Sequence, residues 1–181
     1  MKSLLVSILI VVSLVSFTPA QNKMSVGASV LVALPMGDFG DLAGTGFGGL
    51  GSFEISFMPQ LVGIGQIGYI SWGGKDFGDL SYGYSAVPIL FGVKYYFTPN
   101  VPFYGTASLG FHILNANAEY EGNELFSGFE ASGSSTEFSF IIGAGYEVPV
   151  SPKVSLDFAG TFNIVSDANY IGLRAGGKYA L

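Results

Sequence analysis

Seven ionisable side chains fall where β-strands would carry them to one common side: Glu54, Lys94, His112, Glu137, Asp157, Arg174 and Lys178. Each lies in an alternating segment, on its small or polar face, opposite a row of large apolar residues. Acids and bases confined to one narrow space pair with each other and so avoid the cost of lone buried charges. With Glu147 and Lys153 near segment ends, four acids face four bases. The chemistry this set suits is a structural polar network that fills an interior. A narrow ion path is the alternative.

His112 is the sole histidine. Nucleophilic catalysis needs a base held against a hydroxyl or thiol. No serine adjoins His112 and the chain has no cysteine, so a triad finds no second member. His112 is read as an interior residue hydrogen-bonded to its neighbours. No catalytic residue, cofactor or resident metal is expected.

The pentapeptide Asp-Phe-Gly-Asp-Leu occurs twice, at 38–42 and 76–80, and supplies Asp38, Asp41, Asp76 and Asp79. A kinase-type reading fails, since no lysine strand, catalytic loop or helical domain surrounds either copy. Oxygen-rich loops suit calcium, so paired aspartates leave a divalent cation open as a loop ligand. The plainer expectation is two Asp/Gly turns, each with a phenylalanine resting at a membrane interface. Gly44 to Gly49 is no phosphate cradle, because it leads into a strand rather than a helix.

The elements that must position these residues are strands. Val87, Ile89, Phe91, Val93, Tyr95 and Phe97 share one face, while Pro88, Leu90, Gly92, Lys94 and Tyr96 share the other. After a Pro-Asn break, Phe103 to Ile113 repeats the pattern, with Tyr104, Thr106, Ser108, Gly110 and His112 on the small and polar side. A period of two with a short break is an antiparallel hairpin. The same alternation predicts strands near 24–34, 47–57, 61–71, 135–148, 153–164 and 170–181. That makes eight, each near the ~9–11 residues a tilted strand needs to cross a bilayer. An even number lets the first and last strands pair, which lipid demands because it offers no hydrogen bonds.

Composition agrees. Of 181 residues, 49% are hydrophobic, 15% aromatic and only 11% charged, with 27 glycines and a mean hydropathy of +0.50. Past the N-terminus no uninterrupted apolar run approaches the ~18 residues of a membrane helix. The net charge of −6 excludes a nucleic-acid partner, which needs clustered bases. A soluble lipocalin-like barrel would place apolar residues inside, whereas Lys94, Glu137 and Arg174 occupy the minor polar face.

Lys2, the apolar run Leu4 to Phe17 and Thr18-Pro19-Ala20 describe a secretory signal peptide cut after Ala20. The expected organisation is a signal peptide at 1–20 and one barrel domain at 21–181. Proline-containing breaks at Pro59, Pro99/Pro102 and Pro149/Pro152 are short, while the connections around Asp38, Asp76, Glu124 and Asp167 are mostly longer and more acidic. Short periplasmic turns and longer outer loops fit that asymmetry. The loops carry nine of thirteen acids, among them Glu119, Glu121, Glu124 and Glu130. Aromatic girdles are expected from Phe57, Tyr95, Phe97, Phe103, Tyr146 and Tyr179 at one rim and Tyr69, Trp72, Phe162 and Tyr170 at the other.

The hairpin VPILFGVKYYF…PFYGTASLGF and the final strand YIGLRAGGKYAL carry a resemblance to the small outer-membrane β-barrel family of the OmpA-barrel and OmpX type. It covers everything after the signal peptide. The chain departs from that family in ending on Leu181 rather than an aromatic residue. The resemblance implies an eight-stranded, all-β, up-and-down transmembrane barrel in a Gram-negative outer membrane, monomeric, with outer-membrane lipid and the barrel-assembly machinery as partners. It implies a non-enzymatic structural or surface-interaction protein with a side-chain-filled lumen, whose acidic loops meet a divalent cation or a surface partner. The alternatives are a porin-like narrow pore or transporter for small solutes and a lipid-modifying barrel enzyme.

Overall fold

The computed structural model describes residues 24–74, 80–98, 101–120, 129–166 and 168–181. The expected signal peptide and the second pentapeptide's aspartates, Asp76 and Asp79, lie outside them. Eight strands form: β1 (Met24–Pro35), β2 (Ala43–Met58), β3 (Leu61–Gly74), β4 (Leu80–Thr98), β5 (Val101–Tyr120), β6 (Phe129–Pro149), β7 (Val154–Val165) and β8 (Tyr170–Ala180). Each pairs antiparallel with its sequence neighbour, and β1 pairs with β8, so the barrel closes. Closure leaves no open edge around the apolar belt, where lipid could not satisfy one.

The alternation places side chains as expected. Val30, Phe47, Ile67, Phe91, Leu109, Phe138, Ile142 and Leu173 are exposed on the outer wall. Leu31, Glu54, Leu90, Lys94, Tyr104, His112 and Asn163 are buried inside. Tyr95, Phe97 and Phe103 meet on the outer face near the short turns, with Phe97 and Phe103 stacked at 5.4 Å. Such rings suit the headgroup zone.

The strands are unequal. β1, β7 and β8 have 12, 12 and 11 residues, whereas β4, β5 and β6 have 19, 20 and 21. The connection expected as a loop from Asn115 to Ser134 is instead largely ladder: Asn115 pairs with Ser134 and the register continues to Tyr120 and Phe129. β7 joins β6 only from Ser139 onward. The upper parts of β4 to β6 therefore form a sheet that projects past the rest of the wall. Small polar residues, among them Asn115, Asn117, Ser132, Gly133 and Ser134, are frequent there.

The segment expected as a plain loop between β1 and β2 contains a short helix, α1 (Asp38–Leu42). It starts from Gly37 at φ 62°, where a side chain would be strained. Asp38 and Asp41 stand in its first turn, where negative charge suits the exposed backbone N–H groups. Phe39 does not rest at the membrane interface: it is buried. With the first pentapeptide seated at the barrel mouth, the ring gains more by entering the lumen than by facing water.

Candidate functional site

Buried side chains occupy the lumen in two tiers. The lower tier, beside the short turns, is ionic. Lys94 on β4 is 1% exposed, and its Nζ lies 2.5 Å from Glu54 Oε1 on β2 and 2.6 Å from Asp157 Oδ2 on β7. Lys178 on β8 lies 3.0 Å from Glu54 Oε2 and 2.6 Å from Glu147 Oε2 on β6. Arg174 completes the set 3.8 Å from Asp157. Three bases thus meet three acids. Such buried pairs offset their desolvation only when the remaining lone pairs and protons are also satisfied.

Two tyrosines supply that satisfaction. The Tyr104 hydroxyl donates to Asp157 Oδ1 at 2.6 Å and accepts from Arg174 Nη2 at 3.2 Å. Tyr96 donates to Glu147 Oε2 at 2.7 Å. The Tyr104 ring also lies 4.5 Å from the Lys94 ammonium. It covers Gly145 so closely that a Cβ there would collide with the phenol. The sequence put Tyr96 and Tyr104 on the inner face, but alternation does not reveal that their hydroxyls bridge the charges.

Glu137 stays outside this network. It is half-buried and makes no ion pair among the described residues. The reason is depth. Lys94 is level with Thr106 on β5, whereas Glu137 is level with His112. Six residues along a strand is roughly 20 Å, beyond the reach of any lysine. Lys153 lies in the turn before β7, exposed, 5.4 Å from the outer Tyr179 ring.

The upper tier is apolar and aromatic. Leu31, Ala33, Phe39, Leu50, Ile70, Trp72, Val165 and Tyr170 form a buried core inside the mouth. Trp72 and Tyr170, expected in the outer girdle, are 1% and 2% exposed within the lumen. Trp72 has the same strand parity as Gln66 and Gly68, and Tyr170 that of Arg174 and Lys178; the pleat decides the face regardless of ring chemistry. A file of edge-on rings results: Tyr84 to Phe39 at 5.7 Å, Phe39 to Trp72 at 5.4 Å, and Trp72 to Tyr170 at 5.5 Å. Below it, His112 Nε2 lies 2.9 Å from the Tyr170 hydroxyl.

Between the tiers sit Gln66, Ser139, Thr161 and Asn163. Ser139 is a diagonal neighbour of His112 across the β5–β6 ladder. Ser139 Oγ and His112 Nδ1 both lack a hydrogen-bond partner among the described residues, and His112 Nε2 faces the Tyr170 hydroxyl. Both residues are fully buried. Two small cavities lie within the lumen among the described residues. One cavity of about 20 Å³ lies among Glu54, Lys94, Asp157 and Arg174, and another of about 20 Å³ among Gln66, Asn163, Tyr170 and Arg174. Each has room for about one water.

Outside the lumen, Asp38 and Asp41 are exposed on α1. Among the described residues no group of three or more acidic or histidine side chains is close enough to hold a metal ion. Glu119 and Glu130 are paired in the β5–β6 register, at the tip of the projecting sheet.

No family model and no curated protein matches the chain. Solved structures do. Ail, the attachment invasion locus protein of Yersinia pestis, superposes with a TM-score of 0.67 at 14% identity, over 88% of this chain and 99% of that one. The same protein has been solved with the heparin analogue sucrose octasulfate. A major outer membrane protein from Thermus thermophilus gives 0.59 at 17% identity, over 89% and 100%. Neisserial surface protein A gives 0.55 at 17%, over 87% and 97%. The chain has the fold of the small bacterial outer-membrane β-barrels.

Proposed function

We propose that this chain is exported, loses residues 1–20, and resides in a bacterial outer membrane as a non-enzymatic surface scaffold. The observation that carries the reading is the doubly filled lumen. Ion pairs shut its lower half and an aromatic core shuts its upper half, which leaves the projecting sheet and α1 as the surfaces that can act. Those surfaces carry Asp38, Asp41, Glu119 and Glu130, so a basic partner or a divalent cation suits them. A polyanion of the kind crystallised with the Yersinia barrel does not. Lipid and the barrel-assembly machinery remain the partners that any chain of this architecture needs.

The second reading is a narrow pore for small solutes. Among the described residues the one-water cavities beside Arg174 are its footing, and a hydrated ion or sugar is larger than either. A swelling assay separates the two. Proteoliposomes carrying the folded barrel should shrink and stay shrunken in arabinose, as empty vesicles do. Reswelling that scales with barrel content would establish the pore instead. Mass spectra of envelope lipids should be unchanged by expression; a new acyl form would establish a lipid-modifying enzyme.

A further inference from the structure

A cavity of about 390 Å³ opens at the barrel mouth, between α1 and the projecting sheet. It is separate from the ionic tier and from the one-water cavities below. Its inner lining is Phe39, Trp72, Tyr84 and Leu114, and Leu42 of α1 flanks it. Small residues of the sheet, Ala116 and Gly133, leave the space open on the other side. The volume falls within the ~300–1,000 Å³ typical of small-molecule sites.

We propose that this cavity is a binding site for a small uncharged ring compound bearing one hydrogen-bonding group. The lining decides the class. Phe39 already meets Trp72 and Tyr84 edge-on at 5.4 and 5.7 Å, so a further ring finds the geometry that aromatic groups favour. Among the described residues no Asp, Glu, Lys, Arg or His lines the cavity, so a charged ligand would lose its hydration without a partner. Asp38 and Asp41 nearby add repulsion against anions. Ser135, on the inner face of β6 with Glu137 and Ser139, offers the polar contact that orients a hydroxyl. The core beneath is tightly packed, with Ile70 and Val165 fully buried, so the ligand is held at the mouth rather than passed through.

The probe is 4-fluorophenol, followed by fluorine NMR against the folded barrel in lipid nanodiscs. The expected result is a saturable shift beyond that in empty discs, with 4-fluorobenzoate at least about tenfold weaker. Ala116→Phe fills the cavity from the sheet and should abolish the saturable part. Ser135→Leu does so from the neighbouring strand and serves if the first variant folds poorly, as judged by circular dichroism. Ile67→Ala, on the lipid-facing wall, should bind like the unaltered barrel. Equal shifts in empty discs, in both filled variants, or with benzoate would each overturn the assignment.

Discussion

The Lys94 ammonium crosses the lumen from β4 to lie 2.6 Å from the Asp157 carboxylate on β7, 63 residues away in sequence. It holds Glu54 on β2 at the same time. Three strands that do not adjoin one another are thus tied at a single buried atom. Lys94→Met should leave two carboxylates facing each other without their shared cation and cost about 3–5 kcal/mol. Denaturant unfolding of the barrel in lipid measures this. The double variant with Glu54→Gln should recover much of the loss, because Asp157 keeps Arg174 and Lys178 keeps Glu147.

Glu137→Gln provides the contrast. Although it shares the inner face, Glu137 makes none of these pairs, so its replacement should change stability by less than about 1 kcal/mol. A loss as large as that of Lys94→Met would show that the ion network extends upward to the level of His112.

Tyr104 joins Asp157 to Arg174 through one hydroxyl. Tyr104→Phe keeps the ring and removes the bridge, and should cost about 1.5–3 kcal/mol, the range for hydrogen bonds to charged groups. Gly145→Ala should give a loss of the same sign by pushing the ring off its seat. Combined, the two should cost less than their sum, since both act on one contact. Full additivity in unfolding experiments would separate the glycine from the tyrosine.

Trp72 is the chain's single tryptophan, so its fluorescence reports the upper tier alone. Buried beneath Phe39, it should emit at short wavelength and resist quenching by acrylamide. Phe39→Ala should red-shift the emission, raise the quenching and cost roughly 3 kcal/mol. A Trp72 that is quenched as readily before the substitution as after it would contradict the aromatic plug.

Gly37 begins α1 at φ 62°, and a Cβ there would touch nothing within 4 Å. The strain of Gly37→Ala is therefore conformational alone, about 1–3 kcal/mol. It should loosen α1 and raise acrylamide quenching of Trp72 without disturbing the ionic tier. Thermal unfolding followed by circular dichroism and by fluorescence distinguishes the local effect from the global one.

Much of this arrangement is legible in the residues themselves. Parity alone puts Glu54, Lys94, Asp157, Arg174 and Lys178 inside, because a period of two leaves no third choice. Depth is another matter. Glu137 has the right parity but the wrong level, and level depends on the stagger between strands, which no single segment reveals. Trp72 and Tyr170 show a different limit. An aromatic ring at a strand end fits a headgroup girdle and a packed mouth equally well by chemistry, and here parity should have outranked ring type. α1 was hidden for a third reason: five residues with two aspartates and a glycine carry a turn signal, and only the burial of Phe39 in the mouth makes a helix worth forming.

The closed lumen is the central claim, and single-channel recording of the purified, folded barrel in a planar bilayer tests it most directly. With insertion established independently, the account predicts a silent bilayer in the unaltered protein. Steady ohmic steps would contradict it, since they require a continuous aqueous path through both the Lys94 network and the Phe39–Trp72–Tyr170 file.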